Sequence, residues 1–258
     1  MKIPQYTKAI ISNNLVEVTQ QSYPPPTGRT CLGGRKHATE LSSENYEANV
    51  KKSISRAKNQ IRRLLECNFT NQYAFVTLTF APSENVNVTD IEQCNKMFAD
   101  FKKRLAYHLK KYKLPKFKYL GVTEFQDEKR EGAIHYHLVC NLTEVPPKKL
   151  QVLWEYGFVH KTIITSNAIE NEKLAHYFNK GITDQRLIGH KKYFRSHGLK
   201  NPIILEVKNP DDFYQCLEQC EPTLRTGKDY FSHHTGDTIY QQYYVKNTKE
   251  LMEYVQEL

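Results

Sequence analysis

Residues 116–141 read KFKYLGVTEFQDEKREGAIHYHLVCN, two β-rich runs around a charged turn. Lys116 to Phe125 is rich in aromatic and β-branched residues, Gln126 to Gly132 breaks the pattern, and Ala133 to Asn141 resumes it. Such a layout predicts an antiparallel hairpin. The two-residue period of a strand then puts His135 and His137 on one face of the sheet, because alternate side chains point the same way. Glu124 on the preceding strand falls opposite or diagonal to them, close enough to complete a three-ligand set for one ion.

Outward from the hairpin, Tyr73 to Phe80 (YAFVTLTF) reads as a buried strand closed by Pro82. Between it and the hairpin, Ile91, Cys94, Phe98, Phe101, Leu105 and Leu109 recur at helical spacing over about 90–112. Downstream, Pro146-Pro147 opens a short helix through Trp154, Phe158 to Ile164 is a strand, and Ala168 to Lys180 is a helix that Gly181 is expected to end. The order is β-α-β-β-α-β plus one helix, which predicts an α+β fold: a ferredoxin-like split βαβ sandwich, with a central antiparallel sheet and helices on one face.

The flanks read differently. Residues 1–45, with Pro24-Pro25-Pro26 and Gly33-Gly34, predict an extended N-terminal arm with little core to offer. A basic amphipathic helix over 46–66 follows, in which Ile54, Ala57, Ile61, Leu64 and Leu65 form the apolar stripe. The main domain is expected over 46–205. Residues 206–258 are expected to be a C-terminal extension packed on that same domain, with a helix near 210–220, a strand around Thr238 to Val245 and a terminal helix.

The chain has 258 residues, a formal charge of +9 and 17 tyrosines. Clustered positive charge on that scale points to an anionic partner, most economically nucleic acid, since phosphate neutralisation by Lys and Arg drives such binding. Candidate contacts are Arg62 and Arg63 on the basic helix, Lys102, Lys173, and the segment with Lys191, Lys192 and Arg195. No apolar run is long enough for a membrane span and the first residues lack a signal-peptide layout, so a cytoplasmic location is expected. The six cysteines show no Cys-x-x-Cys pair and read as ordinary thiols.

A nucleophile is available on the helix after the hairpin. Tyr177 has Lys173 four residues before it and Lys180 three after, all on one face, while Leu174 and Phe178 turn to the core. A phenol with a pKa near 10 needs a cationic neighbour, which Lys180 supplies, or an electrophile polarised by a metal.

Together, Phe75-Val-Thr-Leu-Thr-Phe80, Glu124-Phe-Gln126, Gly132-Ala-Ile-His-Tyr-His137 and Tyr177-Phe-Asn-Lys180 resemble the HUH endonucleases. The likeness is greatest to rolling-circle replication initiators of plasmids, phages and related mobile elements. It covers roughly residues 45–205 and rests on four motifs in order. It implies a nickase that uses Mg2+ or Mn2+ on His135, His137 and Glu124, attacks single-stranded origin DNA with Tyr177, forms a 5′-phosphotyrosine and releases a 3′-hydroxyl for a polymerase. Two-tyrosine relatives carry a second tyrosine one turn later, where this chain has Gly181, so the resemblance implies a single-tyrosine enzyme. The second strand transfer then calls for a second subunit, as in a homodimer, or another nucleophile. No Walker A motif occurs, since Asp229 follows Lys228, so unwinding falls to a host helicase or to supercoiling. A relaxase or single-tyrosine transposase shares this chemistry, and a non-catalytic module that stacks single-stranded nucleic acid is the rival from another class.

Overall fold

The computed structural model describes residues 5–26, 43–83, 86–165 and 168–256. Contacts divide the chain into two compact units, residues 44–200 and residues 1–43 with 201–258. Among the described residues the strands form two five-stranded antiparallel sheets, one in each unit, giving an α+β fold.

In the 44–200 unit the elements are α1 (Ser43–Asn68), β3 (Gln72–Thr79), α2 (Ile91–Lys111), β4 (Tyr119–Gln126), α3 (Asp127–Arg130), β5 (Ala133–Cys140), α4 (Pro147–Trp154), β6 (Val159–Thr165), α5 (Ala168–Ile182) and β7 (Phe194–Arg195); the numbering leaves β1 and β2 to the first strands of the chain. The sheet runs β6-β3-β5-β4-β7, each pair antiparallel. Within β3 to β6 that is the split βαβ order: β5 is inserted between β3 and β4, which the α2 crossover joins.

Helices cover both faces of this sheet, not the one face expected. On one side Val76, Leu78, Ile134, Tyr136 and Leu138 pack against Phe98, Phe101 and Leu105 of α2 and Leu150 and Trp154 of α4. On the other, Leu120, Val122 and Val139 pack against Ile61, Leu64 and Leu65 of α1 and Leu174, Phe178 and Ile182 of α5. The physical reason lies in β5, which is buried at every residue, so neither face is left to solvent. α1, expected as a basic surface helix, therefore spends its apolar stripe on the sheet, and Arg62 and Arg63 are half-buried.

α5 does not stop at Gly181. It runs on to Ile182, and a Cβ on Gly181 would sit 2.6 Å from the Thr123 carbonyl oxygen. The glycine is there for close approach of helix to strand, not as a terminator.

The second unit overturns the expected arm. β1 (Tyr6–Ser12) and β2 (Leu15–Gln21) form a hairpin with Ala9, Ile11, Val16 and Val18 buried. Its partners come from the far end of the chain: β8 (Ile203–Val207), β9 (Pro222–Ser232) and β10 (Gly236–Val245), in the order β8-β1-β2-β10-β9. α6 (Pro210–Gln219) and α7 (Lys249–Gln256) add Phe213, Leu217 and Leu251 to its core. The segment 206–258 is thus half of a sheet shared with the N-terminal hairpin rather than an appendage of the 46–205 domain. Gly33-Gly34, part of the expected arm, lies outside the described residues.

Among the described residues Cys67, Cys94, Cys140, Cys216 and Cys220 are free thiols. No helix among them is long and apolar enough to cross a membrane.

Candidate functional site

The register of the central strands sets the geometry. In β5, His135 pairs with Glu124 of β4 and Thr79 of β3, and His137 pairs with Val122 and Thr77. All of these side chains alternate onto the face that carries α1 and α5. Leu174, Phe178 and Ile182 recur every four residues along α5 and anchor it to that face, which turns Tyr177 and Lys180 toward the histidines.

The carboxylate of Glu124 passes by its directly opposite neighbour and reaches diagonally, accepting a hydrogen bond from His137 Nε2 at 2.5 Å. Its other oxygen accepts from Lys180 Nζ at 2.9 Å, so strand and helix are tied by one acid. These bonds, that from His137 first, draw the Glu124 carboxyl down to about 2 despite its burial. The Tyr177 hydroxyl lies 3.4 Å from the same His137 Nε2, and its ring stands edge-on to His137 and Phe75. Tyr177 is 45% exposed, so its hydroxyl is reachable from solvent. Burial, and then the Glu124 charge, raise the phenol's pKa, while Lys180 pulls it back.

His135 stands apart. Its ring centroid is 6.4 Å from that of His137, and its Nε2 faces the Arg130 guanidinium at 3.3 Å. Burial first, then Arg130, lowers its pKa to about 4, which keeps the imidazole neutral with a lone pair free to bind a cation. Among the described residues no three His, Cys, Asp or Glu side chains are gathered as a metal cage. Glu124 and His137 already converge, and His135 joins them only by turning from Arg130. The donor types, two neutral-capable imidazoles and one carboxylate, suit a divalent ion.

Three participants escaped the sequence reading. Thr77 Oγ1 lies 3.0 Å from His137 Nδ1 and fixes the ring from behind. Phe75 stacks on His137, with planes 7° apart and centroids at 5.8 Å. Arg130, which also donates to the Phe80 carbonyl at 2.7 Å, sits at the end of α3 against His135. The alternation of β3 carried the signal for the first two, since Phe75 and Thr77 share the face of the histidines.

The proposed nucleic-acid contacts do not converge in the same way. Lys173 is exposed on α5, one turn before Tyr177, and Arg62 and Arg63 belong to α1. Arg195 is exposed on the edge strand β7, Lys191 is exposed, and Lys192 is half-buried and feels the Asp184 charge. Lys102 lies across the sheet on α2, with its ammonium 5.2 Å from the Phe98 ring centre.

A family model of replication-associated proteins, the ORF2 family, matches residues 73–185. That span begins in β3, ends just beyond α5, and holds Glu124, His135, His137, Tyr177 and Lys180. No curated protein and no solved structure matches the chain.

Proposed function

We propose that the chain is a replication initiator that nicks and rejoins single-stranded origin DNA through Tyr177, in the manner of a single-tyrosine HUH endonuclease starting rolling-circle replication. The observation that carries this reading is the cluster Tyr177–His137–Glu124–Lys180, drawn from a strand hairpin and a separate helix into contact. The match to the replication-associated family over the same residues supports it.

The reaction follows from the groups at hand. The Tyr177 oxygen attacks phosphorus, the phenol–phosphorus bond forms, the bond to the 3′ oxygen breaks, and the phenol proton is finally carried by the released 3′-hydroxyl. Lys180, 79% exposed beside Tyr177, offers its ammonium to a phosphoryl oxygen while Glu124 holds it in place. Arg130 puts a second cation on the far side of His135. Reversal by a 3′-hydroxyl rejoins the strand.

His135, His137 and Glu124 would hold Mg2+ or Mn2+. Such an ion supplies Lewis-acid polarisation of the phosphate. With His137 Nε2 given to a cation, Nδ1–H donates to Thr77, the outer support that an imidazole ligand needs.

Gly181 bears on the number of nucleophiles. It lies four residues after Tyr177 on the same helix face, and its contact with the Thr123 carbonyl leaves no room for a second tyrosine. A homodimer would supply the second transfer, and host helicase and polymerase would open and extend the duplex.

Tyr177→Phe tests the reading: purified protein with Mn2+ should lose cleavage and covalent adduct yet bind single strands as before. Undiminished cutting by this variant would sink it. Binding without any cleavage by the unaltered chain would favour a stacking module instead.

A further inference from the structure

On the face of the sheet away from Tyr177, a groove of about 770 Å³ opens between α2, the 114–119 segment and the residues after β7. Its floor is apolar and aromatic, made of Leu109, Leu114, Phe117 and Tyr119, with the Phe117 and Tyr119 ring centres 4.6 Å apart. Lys102, Lys110 and Lys116 rim it, and no carboxylate is among its lining residues. Flat rings under a one-signed cationic rim are what an unpaired nucleotide requires, the base stacking below and the phosphate meeting lysine above.

We propose that this groove is a second single-stranded DNA contact, a base-stacking subsite that takes an unpaired nucleotide of the strand Tyr177 cuts. The proposal rests on the nickase reading for the identity of the strand. Three observations favour DNA as occupant. Lys102 is steadied by the Phe98 and Tyr119 rings at 5.2 and 6.0 Å rather than by an acid, and burial lowers its pKa, so an arriving phosphate offsets a standing cost. The basic segment Lys191 to Arg195 runs through the edge strand β7 straight into Ser196 and His197, which line the groove, giving a strand a cationic path along the sheet edge. The groove on the other flank of α2 differs: its Lys103 and Arg104 are already neutralised by Asp100 and Glu155. Tyr119 begins β4 and Glu124 lies five residues on, about 17 Å along the strand, so one DNA chain of several nucleotides would engage both sites.

The test uses the full chain carrying Tyr177→Phe, so that binding is read without cleavage. The probe is a fluorescein-labelled single strand of about 16 nucleotides, with a second copy containing 2-aminopurine. Lys110→Glu with Lys116→Glu, both on exposed side chains, should weaken binding roughly tenfold at low salt and flatten the salt slope by about 1.4. Phe117→Ala should weaken it roughly tenfold as well and relieve the stacking quench of 2-aminopurine. The charge variants keep the proposal testable even if Phe117→Ala folds poorly. Unchanged affinity, slope and quench in these variants would overturn it, as would equal binding of a single mononucleotide and the full strand. A Tyr177 adduct that never forms in the unaltered chain would defeat the nickase reading, while a groove-dependent affinity would still establish the stacking site.

Discussion

The sheet of β3 to β7 and the sheet of β1, β2, β8, β9 and β10 are both five-stranded and antiparallel, yet they are assembled from the chain in different ways. In the first, β4 and β5 are a hairpin, and the register that pairs Glu124 with His135 is set by a turn of a few residues. In the second, Thr7 pairs with Val207 and Gln21 with Thr238, so the register comes from strands at opposite ends of the chain. The first is covered on both faces and carries polar groups in contact at one place; the second buries Ala9, Ile11, Val16, Val18 and Phe213 in a core of its own. The difference separates a sheet that holds chemistry from one whose described core is chiefly packing.

The contrast can be broken most severely at the histidines. Replacing His135 and His137 together with alanine should lower Mn2+-dependent cleavage by on the order of 10³-fold or more, since metal polarisation is worth several kcal/mol. It should also abolish Mn2+ binding in calorimetry. Phe213→Ala in the second sheet should cost about 3–5 kcal/mol and speed amide exchange in β1, β2 and β10. If β3 to β5 lost protection equally, the two units would not unfold separately. Gly181→Ala should destabilise the first unit by about 1–3 kcal/mol, because its Cβ meets the Thr123 carbonyl at 2.6 Å. A variant of unchanged melting temperature would show that α5 can lift off β4.

The smallest effect is a matter of pH. Folding depresses the Glu124 carboxyl from 4.5 to about 2, so the stability it contributes is complete above its unfolded value and is lost as pH falls from about 4.5 to about 2. His135, lowered to about 4, adds its own loss between 6.5 and 4, where the unfolded chain takes up a proton first. Glu124→Gln should flatten the lower window alone. An unaltered acid limb in urea titrations would mean that the Glu124 bonds to His137 and Lys180 contribute nothing to folding.

Much of the first sheet was legible because its signals are local. The period of two in Ala133 to Val139 placed both histidines on one face, and the hairpin turn brought Glu124 alongside. What escaped depends on contacts that spacing does not encode. Gly181 reads as a helix end in one dimension and is a point of close packing in three. Thr77 and Phe75 were visible as strand residues, but their roles behind His137 follow only from the pairing of β3 with β5. The N-terminal hairpin was missed for a similar reason: its apolar positions are few, and they become a core only when Val207, Phe213 and Val245 arrive from the other end. Arg130 sat in what read as a turn, and nothing in that charged stretch marks it as His135's neighbour.

The measurement that bears most directly on the central claim is to incubate the full chain with Mn2+ and 5′-labelled single-stranded origin DNA, isolate the covalent protein–DNA product, digest it and locate the modified residue by mass spectrometry. The account predicts one adduct, a 5′-phosphodeoxynucleotide on Tyr177. No adduct under conditions where the DNA is bound, or an adduct on another tyrosine such as Tyr156 or Tyr193, would contradict it.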